Sequence, residues 1–599
     1  MKYNNLSNVR LIPGLFKVRQ TVNRNYLMSL SSQALLQNFY IEAGIIMPGL
    51  SVLENPAECG LHWGWEAPIC QLRGHFLGHW MSAASMLVET ENDLELRGKL
   101  EYIVSELARC QERNRNGWIG SIPEKYFDIL ETDEYIWSPQ YTLHKTLMGL
   151  LDAYKHAGIG QALDILKKAS DWYINWISRI PADKPWVVLK GESGGMLEIW
   201  ASLYEITKED KYMDLCKAYS GYSVFEQLLK GEDALTDKHA NASIPTAHGA
   251  AKMYEITGDK KWLSIAELFW KCAVTDRPMY ATGSANAGEF YIAPGKLYQA
   301  LGDRNQEFCT MYNTVRLADY LYRFTGKAEY LDYIEIALYN GFLAQQNKRT
   351  GMPTYFLPMK PGSRKKWGTP RNDFWCCHGT MVQAQAYYPY LCYYTKDNEV
   401  TVAQYIPSQA SFNLNGNSIK ITQNVYMTYG GDFLFSEGKN EGKNRWQFEF
   451  RIESDREFAL KLRIPKWHQG EVYISVNGEK IASDINDGFI CIKRKWSVSD
   501  RLELKFNAKL TLETLPDRSD KAAVMEGPIV LAGIDERDEG LRLVDGKISK
   551  TFVPFIEHTY DAFPWQQSTY RTVGQGREIT FMPLYEITDE PYNIYYTIK

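Results

Sequence analysis

From about residue 28 to about residue 394, apolar side chains recur at three- and four-residue intervals, as in residues 74–88, 93–110, 143–157 and 309–325. That spacing predicts amphipathic helices, about twelve of them. Several carry one local signature. Tyr204-Glu205-Ile206-Thr207 runs into Lys211-Tyr212-Met213, Tyr254-Glu255-Ile256-Thr257-Gly258 into Lys261-Trp262-Leu263, and Tyr322-Arg323-Phe324-Thr325-Gly326 into Glu329-Tyr330-Leu331; Tyr154 with Gly158 is a weaker copy. One helix ends at the Gly or Lys, and an aromatic restarts the apolar face of the next. Repeated helical hairpins predict an (α/α)6 barrel, with an open solenoid as the alternative. Residues 275–306, rich in Gly, Ala and Pro, interrupt the repeat as a long loop, the kind that usually serves function.

Past about residue 395 the period changes to two, in residues 400–405, 418–426, 445–452, 458–464 and 472–476, with Asn477-Gly478 and Asp487-Gly488 as hairpin turns. Helices first and strands after predict separate domains. The expectation is a helical barrel over 1–395 whose first residues join a β-sandwich, a β-sandwich over 396–515, and a second over 516–599 whose last strand returns to the first.

Composition narrows the function. Hydrophobic residues make up 45% of the 599 and the net charge is −5, so the chain is globular and a nucleic acid or anionic membrane is an unsuitable partner. No apolar run is long enough to span a bilayer. Met1–Asn5 lacks the apolar core of a leader, which predicts a cytoplasmic protein, or a periplasmic or secreted one if a leader has been removed. Thirty-nine Tyr and 17 Trp suit the flat faces of sugar rings as well as a large core. A homodimer is compatible with all of this.

Ten cysteines are too few for a disulfide framework, which makes the adjacent Cys376 and Cys377 conspicuous. With Glu307 and Cys309 they offer a carboxylate and three thiols, a donor set suited to zinc. On spacing alone, a core thiol and a chance Cys-Cys pair remain the alternative. Glu289 follows small residues in the long loop and is a candidate acid/base, or simply an exposed glutamate. His75 and His79 share a helix face, and His144 and His248 stand near the starts of predicted inner helices; together they suggest a polar funnel mouth.

These stretches together resemble glycoside hydrolase family 127, the β-L-arabinofuranosidase clan. The resemblance rests on Arg73-Gly74-His75-Phe76-Leu77-Gly78-His79, Leu143-His144-Lys145, Gly149-Leu150-Leu151-Asp152-Ala153-Tyr154, Gly288-Glu289-Phe290, Glu307-x-Cys309, Tyr312-Asn313, Ala337-Leu338-Tyr339-Asn340-Gly341, Cys376-Cys377-x-Gly379 and Glu526-Gly527-Pro528, in that order. It implies an (α/α)6 barrel followed by β-sandwiches, and Zn2+ held by Glu307, Cys309, Cys376 and Cys377. It implies Cys376 as nucleophile, Glu289 as general acid/base, and His144, His248, Glu335 and Tyr355 as substrate contacts; His79, sharing its helix face with His75, is a further candidate contact. Two departures fall where the sugar should sit: 192–198 lacks a family histidine, and the segment from Glu289 to Glu307 differs in detail.

Four protein ligands would close a tetrahedral zinc and leave no position for a reactive water. The metal's effect would then fall on its thiolates. The expected reaction is retaining release of a terminal β-L-arabinofuranose from a plant-derived oligosaccharide or glycoside. A structural zinc with Glu335 as nucleophile is the mechanistic rival. Rival functions are a lyase or unsaturated-uronide hydrolase on a similar barrel, a hydrolase for another pentose-like sugar such as aceric acid, and a non-catalytic sugar-binding protein.

Overall fold

Six helices line the interior of the helical part: His75–Glu91, Pro139–Lys155, Met196–Thr207, Ala240–Thr257, Phe308–Thr325 and Cys376–Cys392. The computed structural model describes residues 4–5, 8–46, 60–414, 416–428, 444–482, 484–554 and 568–599. Each inner helix packs on the next, and Cys376–Cys392 packs back on His75–Glu91, so the ring closes and the open solenoid is excluded. Every residue of 75–88 is buried, as expected of a helix walled in on all sides. Leu94–Asn114, Gly160–Arg179, Asp210–Ala218, Lys260–Trp270 and Ala328–Ala337 return the first five inner helices along the outside. Leu15–Ser29, from the start of the chain, packs against the last inner helix.

The repeated signature is the turn of each hairpin. Gly158, Lys208, Gly258 and Gly326 all have φ between 60° and 73°, and each donates its N–H to the carbonyl of Tyr154, Tyr204, Tyr254 or Tyr322. Two inner helices approach closely because of glycine: a Cβ on Gly78 would lie 1.9 Å from the Lys145 carbonyl oxygen.

The described strands form three larger sheets. A five-stranded sheet (Asn4–Asn5, Tyr393–Lys396, Glu399–Val402, Glu457–Arg463, Phe489–Lys495) and a seven-stranded sheet running from Glu479–Lys480 to Val9–Leu11 follow the barrel. Both take a strand from the first residues of the chain, Asn5 opposite Tyr394 and Leu11 opposite Ser408. The described strands from Leu510 onward make one eight-stranded sheet instead of the expected second sandwich. The helical part supplies its other layer: Asn340 bonds to Pro528 O and Val530 N, and Tyr592 bonds to Pro358 O. The last strand, Tyr595–Thr597, does not return to the first sandwich. It pairs with Arg518–Glu526, where Thr597 is held by Asp538.

Arg463 clamps barrel to sandwich. Its buried guanidinium reaches Glu335 at 2.8 Å and Asp332 at 2.8 Å, and Trp467 Nε1 adds a 2.7 Å bond to Glu335.

Candidate active site and metal centre

The polar side chains cluster where the inner helices begin. Cys376 and His75 are first residues of their helices, Glu307 caps Phe308–Thr325 with Cys309 just inside, and His239 caps Ala240–Thr257. Local backbone irregularities aim them. Gln306 at φ 45° and a register shift between Asn305 and Glu307 turn the short strand into the helix. The long loop of residues 275–306 folds partly into a small sheet, in which Asn286–Ala287 pairs with Phe290–Tyr291. Gly288 and Glu289 form the two-residue turn between them, both with positive φ (54° and 76°). A glutamate held at φ 76° costs conformational energy, so the fold fixes this carboxylate.

Glu307, Cys309, Cys376 and Cys377 are buried, with their ligand atoms all within 4.8 Å of one another. Cys309 and Cys377 sulfurs are 3.4 Å apart, those of Cys376 and Cys377 3.9 Å, and Cys376 Sγ is 3.8 Å from Glu307 Oε1. The three cysteines are free, with no disulfide between them. Zinc–sulfur bonds of about 2.3 Å in a tetrahedron put neighbouring sulfurs about 3.8 Å apart, so the donor set and its spacing fit such an ion. The cluster can hold a metal.

Burial pushes the thiols of Cys309 and Cys377 and the carboxyl of Glu307 well above their ordinary values. Cys376 goes the other way. Burial opposes its ionisation, but hydrogen bonding with Cys309, Cys377 and Tyr355, with His75 nearby, holds its pKa well below that of a free thiol. Among the three sulfurs, Cys376 is the one favoured as thiolate.

Tyr355 joins the proposed nucleophile to the proposed acid. Its hydroxyl donates to Glu289 Oε1 and lies 3.4 Å from Cys376 Sγ. His239 stands with Glu289 and Glu307 in a second group whose ligand atoms lie within 4.8 Å. Glu192 faces it, 3.6 Å from His239 Nδ1. Burial lowers the pKa of His239, but Glu192 and then Glu289 outweigh it and raise the imidazole above its ordinary value.

The other anticipated residues lie deeper or elsewhere. His79 is one turn below His75, with Nδ1 2.6 Å from Gln383 Oε1 and its ring against Gly379, where a Cβ would come within 2.2 Å. That contact explains the glycine of Cys376-Cys377-x-Gly379. His144 lies against Gly195. His248 is fully buried on Asn313 O at 2.8 Å, beside Arg316 and Glu198, in a layer beneath the mouth. Glu335 is not at the mouth at all, since Arg463 and Trp467 occupy its carboxylate. It is therefore corrected from a substrate contact, or a rival nucleophile, to a domain-joining residue. Sequence reasoning missed His239, Glu192 and Tyr141, whose hydroxyl lies 3.4 Å from His75 Nδ1. The available signal was position: His239 precedes an inner helix as Glu307 does.

The model described as "Beta-L-arabinofuranosidase, GH127 catalytic domain" matches residues 8–390, and the GH127 middle-domain model matches residues 399–508. A non-reducing end β-L-arabinofuranosidase of Bifidobacterium longum is 23% identical over 537 residues, covering 78% of this chain and 77% of that protein. Among solved structures, a GH127 β-L-arabinofuranosidase from Geobacillus stearothermophilus T6 superposes with a TM-score of 0.72 at 20% identity, over 99% of this chain and 100% of that one. Another GH127 β-arabinofuranosidase superposes with a TM-score of 0.74 at 18% identity, over 100% and 98%. With the catalytic-domain match spanning the whole helical ring and the site at its mouth, this chain is a glycoside hydrolase that belongs to family 127.

Proposed function

We propose that the protein is a retaining exo-β-L-arabinofuranosidase in which Cys376 is the nucleophile and Glu289 the general acid/base. The observation that carries this is one hydroxyl, that of Tyr355, touching both Glu289 and the thiol favoured as thiolate. Glu307, Cys309, Cys376 and Cys377 would hold the zinc. When bound, zinc keeps coordinated thiols deprotonated at neutral pH.

The Cys376 thiolate attacks the anomeric carbon as Glu289 gives its proton to the departing glycosidic oxygen. A carbon–sulfur bond forms and the aglycone leaves as an alcohol. Glu289, now a carboxylate, takes a proton from a water that attacks the same carbon and breaks the carbon–sulfur bond. Cys376 is restored as thiolate, Glu289 as acid, and two inversions give net retention. Tyr355 orients both groups, and the helix N-termini that converge on the cluster favour negative charge on sulfur.

The test is a mechanism-based label on a β-L-arabinofuranose scaffold, read by mass spectrometry. The label should appear on Cys376 and be absent from Cys377, and Cys376→Ser should lower activity by about 10³-fold or more with the fold retained. A label on Glu289 or another carboxylate would overturn the thiolate mechanism. Failure to release L-arabinose from any β-L-arabinofuranoside would overturn the substrate assignment.

A further inference from the structure

A cavity of about 490 Å³ opens beside the helix mouth, walled by residues 130 and 132–138 and by 190–192. We propose that it is the aglycone site, taking a short neutral oligosaccharide to which the terminal sugar is attached. This rests on the glycosidase reading above and names the substrate class for the same site.

Three observations carry it. The first is continuity with the reacting groups. Glu192 lines the cavity and also faces His239, which stands with Glu289 and Glu307. On the other side Trp137, also in the wall, packs at 5.0 Å on Trp65, which packs at 5.9 Å on His75. A ligand in the cavity therefore extends outward from the place where Glu289 would protonate a leaving oxygen.

The second is the character of the wall. Tyr135 is 83% exposed and Trp137 half-buried. An exposed aromatic ring beside a half-buried one gives the wall flat apolar faces, and the apolar face of a sugar ring stacks on such a surface. The volume falls in the range of ligand pockets, roughly 300–1,000 Å³, with room for about two or three sugar residues. The wall is also preformed: Lys190 Nζ bonds to Leu130 O and Thr132 O, and Tyr141 N bonds to Gly191 O. Little ordering is left for the ligand to impose.

The third is charge. Asp133, Glu134 and Glu192 face the cavity, and the ammonium of Lys190, which also lines it, is held by two carbonyls. Carboxylates accept hydrogen bonds from sugar hydroxyls and repel uronates. The wall selects a neutral glycan over a galacturonate chain.

The experiment compares kcat/KM on three substrates: 4-nitrophenyl β-L-arabinofuranoside, a β-L-arabinofuranosyl-capped neutral trisaccharide, and the same cap on a galacturonate disaccharide. The wild type should favour the neutral trisaccharide and disfavour the galacturonate. Tyr135→Ala should lower kcat/KM on the trisaccharide about tenfold more than on the nitrophenyl glycoside. The Asp133→Asn, Glu134→Gln pair should recover activity on the galacturonate several-fold. Equal effects of Tyr135→Ala on both neutral substrates would overturn the proposal. A second arm needs no turnover: saturation-transfer NMR with uncapped neutral arabinotriose should show contact with the wild type that Tyr135→Ala loses. Absence of contact in the wild type overturns the aglycone site whatever the activity. Contact without hydrolysis of any arabinofuranoside would uphold the cavity and refute the assigned reaction.

Discussion

Glu289 stands at φ 76° in a two-residue turn, with Tyr355 donating to one oxygen and His239 nearby. A carboxyl fixed this way suits proton donation more than loose binding. Glu289→Gln should lower the rate on a methyl β-L-arabinofuranoside by about 10²–10⁴-fold and spare the first step on a nitrophenyl glycoside, whose aglycone leaves unaided. Equal losses on both would make Glu289 a binding residue. Cys309 tests the metal without touching the Tyr355 hydroxyl: its partners are the sulfurs of Cys376 and Cys377 and the Thr380 hydroxyl, so bound metal and not activity is the readout. Cys309→Ala should reduce bound zinc from one per chain, measured by elemental analysis, and lower the melting temperature. A variant that keeps full metal would remove Cys309 from the ligand set. At this scale the grouping of Glu307, Cys309, Cys376 and Cys377 was legible because adjacent cysteines are rare, whereas Glu289, a common residue type in a loop, stood out only through the order of the motifs. Glu335 was misread because its partner, Arg463, lies 128 positions away in a strand, and no local pattern announces a salt bridge across domains.

Hairpins were the most legible elements, since each turn is written locally in a tyrosine carbonyl and a left-handed Gly or Lys. Closure was anticipated from the repeat, with an open solenoid as the alternative, and it is decided by Cys376–Cys392 meeting His75–Glu91 across some three hundred residues. The small sheet around Glu289 was hidden: strands of two and three residues carry no readable period. Helix Ala328–Ala337 shows how elements are joined. Its Glu335 and Asp332 share Arg463 from strand Glu457–Arg463, with the guanidinium fully buried. Removing one partner leaves the other charges buried and unmatched. Arg463→Ala should therefore cost about 3–5 kcal/mol of stability, read by urea unfolding. The folded fraction should keep its kcat on the nitrophenyl glycoside. A loss of kcat with unchanged stability would return Glu335 to the active site.

Over the whole molecule, buried histidines set an acid limit. Burial pushes His62 down to about 3, with Arg371 and Lys99 adding to it, and His248 down to about 3, with Arg316 adding. The unfolded chain takes up these protons near pH 6.5 and the folded one does not. Their contribution is therefore complete above pH 6.5 and falls as pH drops from 6.5 toward 3, by up to about 1.4 kcal/mol per pH unit for each histidine. Urea unfolding at pH 7, 6 and 5 should show stability declining in that direction; a flat profile would mean that these imidazoles protonate inside the fold. The pairing of the first strands has a consequence in time. Leu11 lies opposite Ser408, so during synthesis the opening strand has no partner until nearly four hundred further residues are made. At elongation rates of about 5–20 residues per second, that wait is roughly 20 to 80 seconds. Through it Val9–Leu11 has no strand to pair with, so this seam between barrel and sandwich is among the last parts of the fold to form.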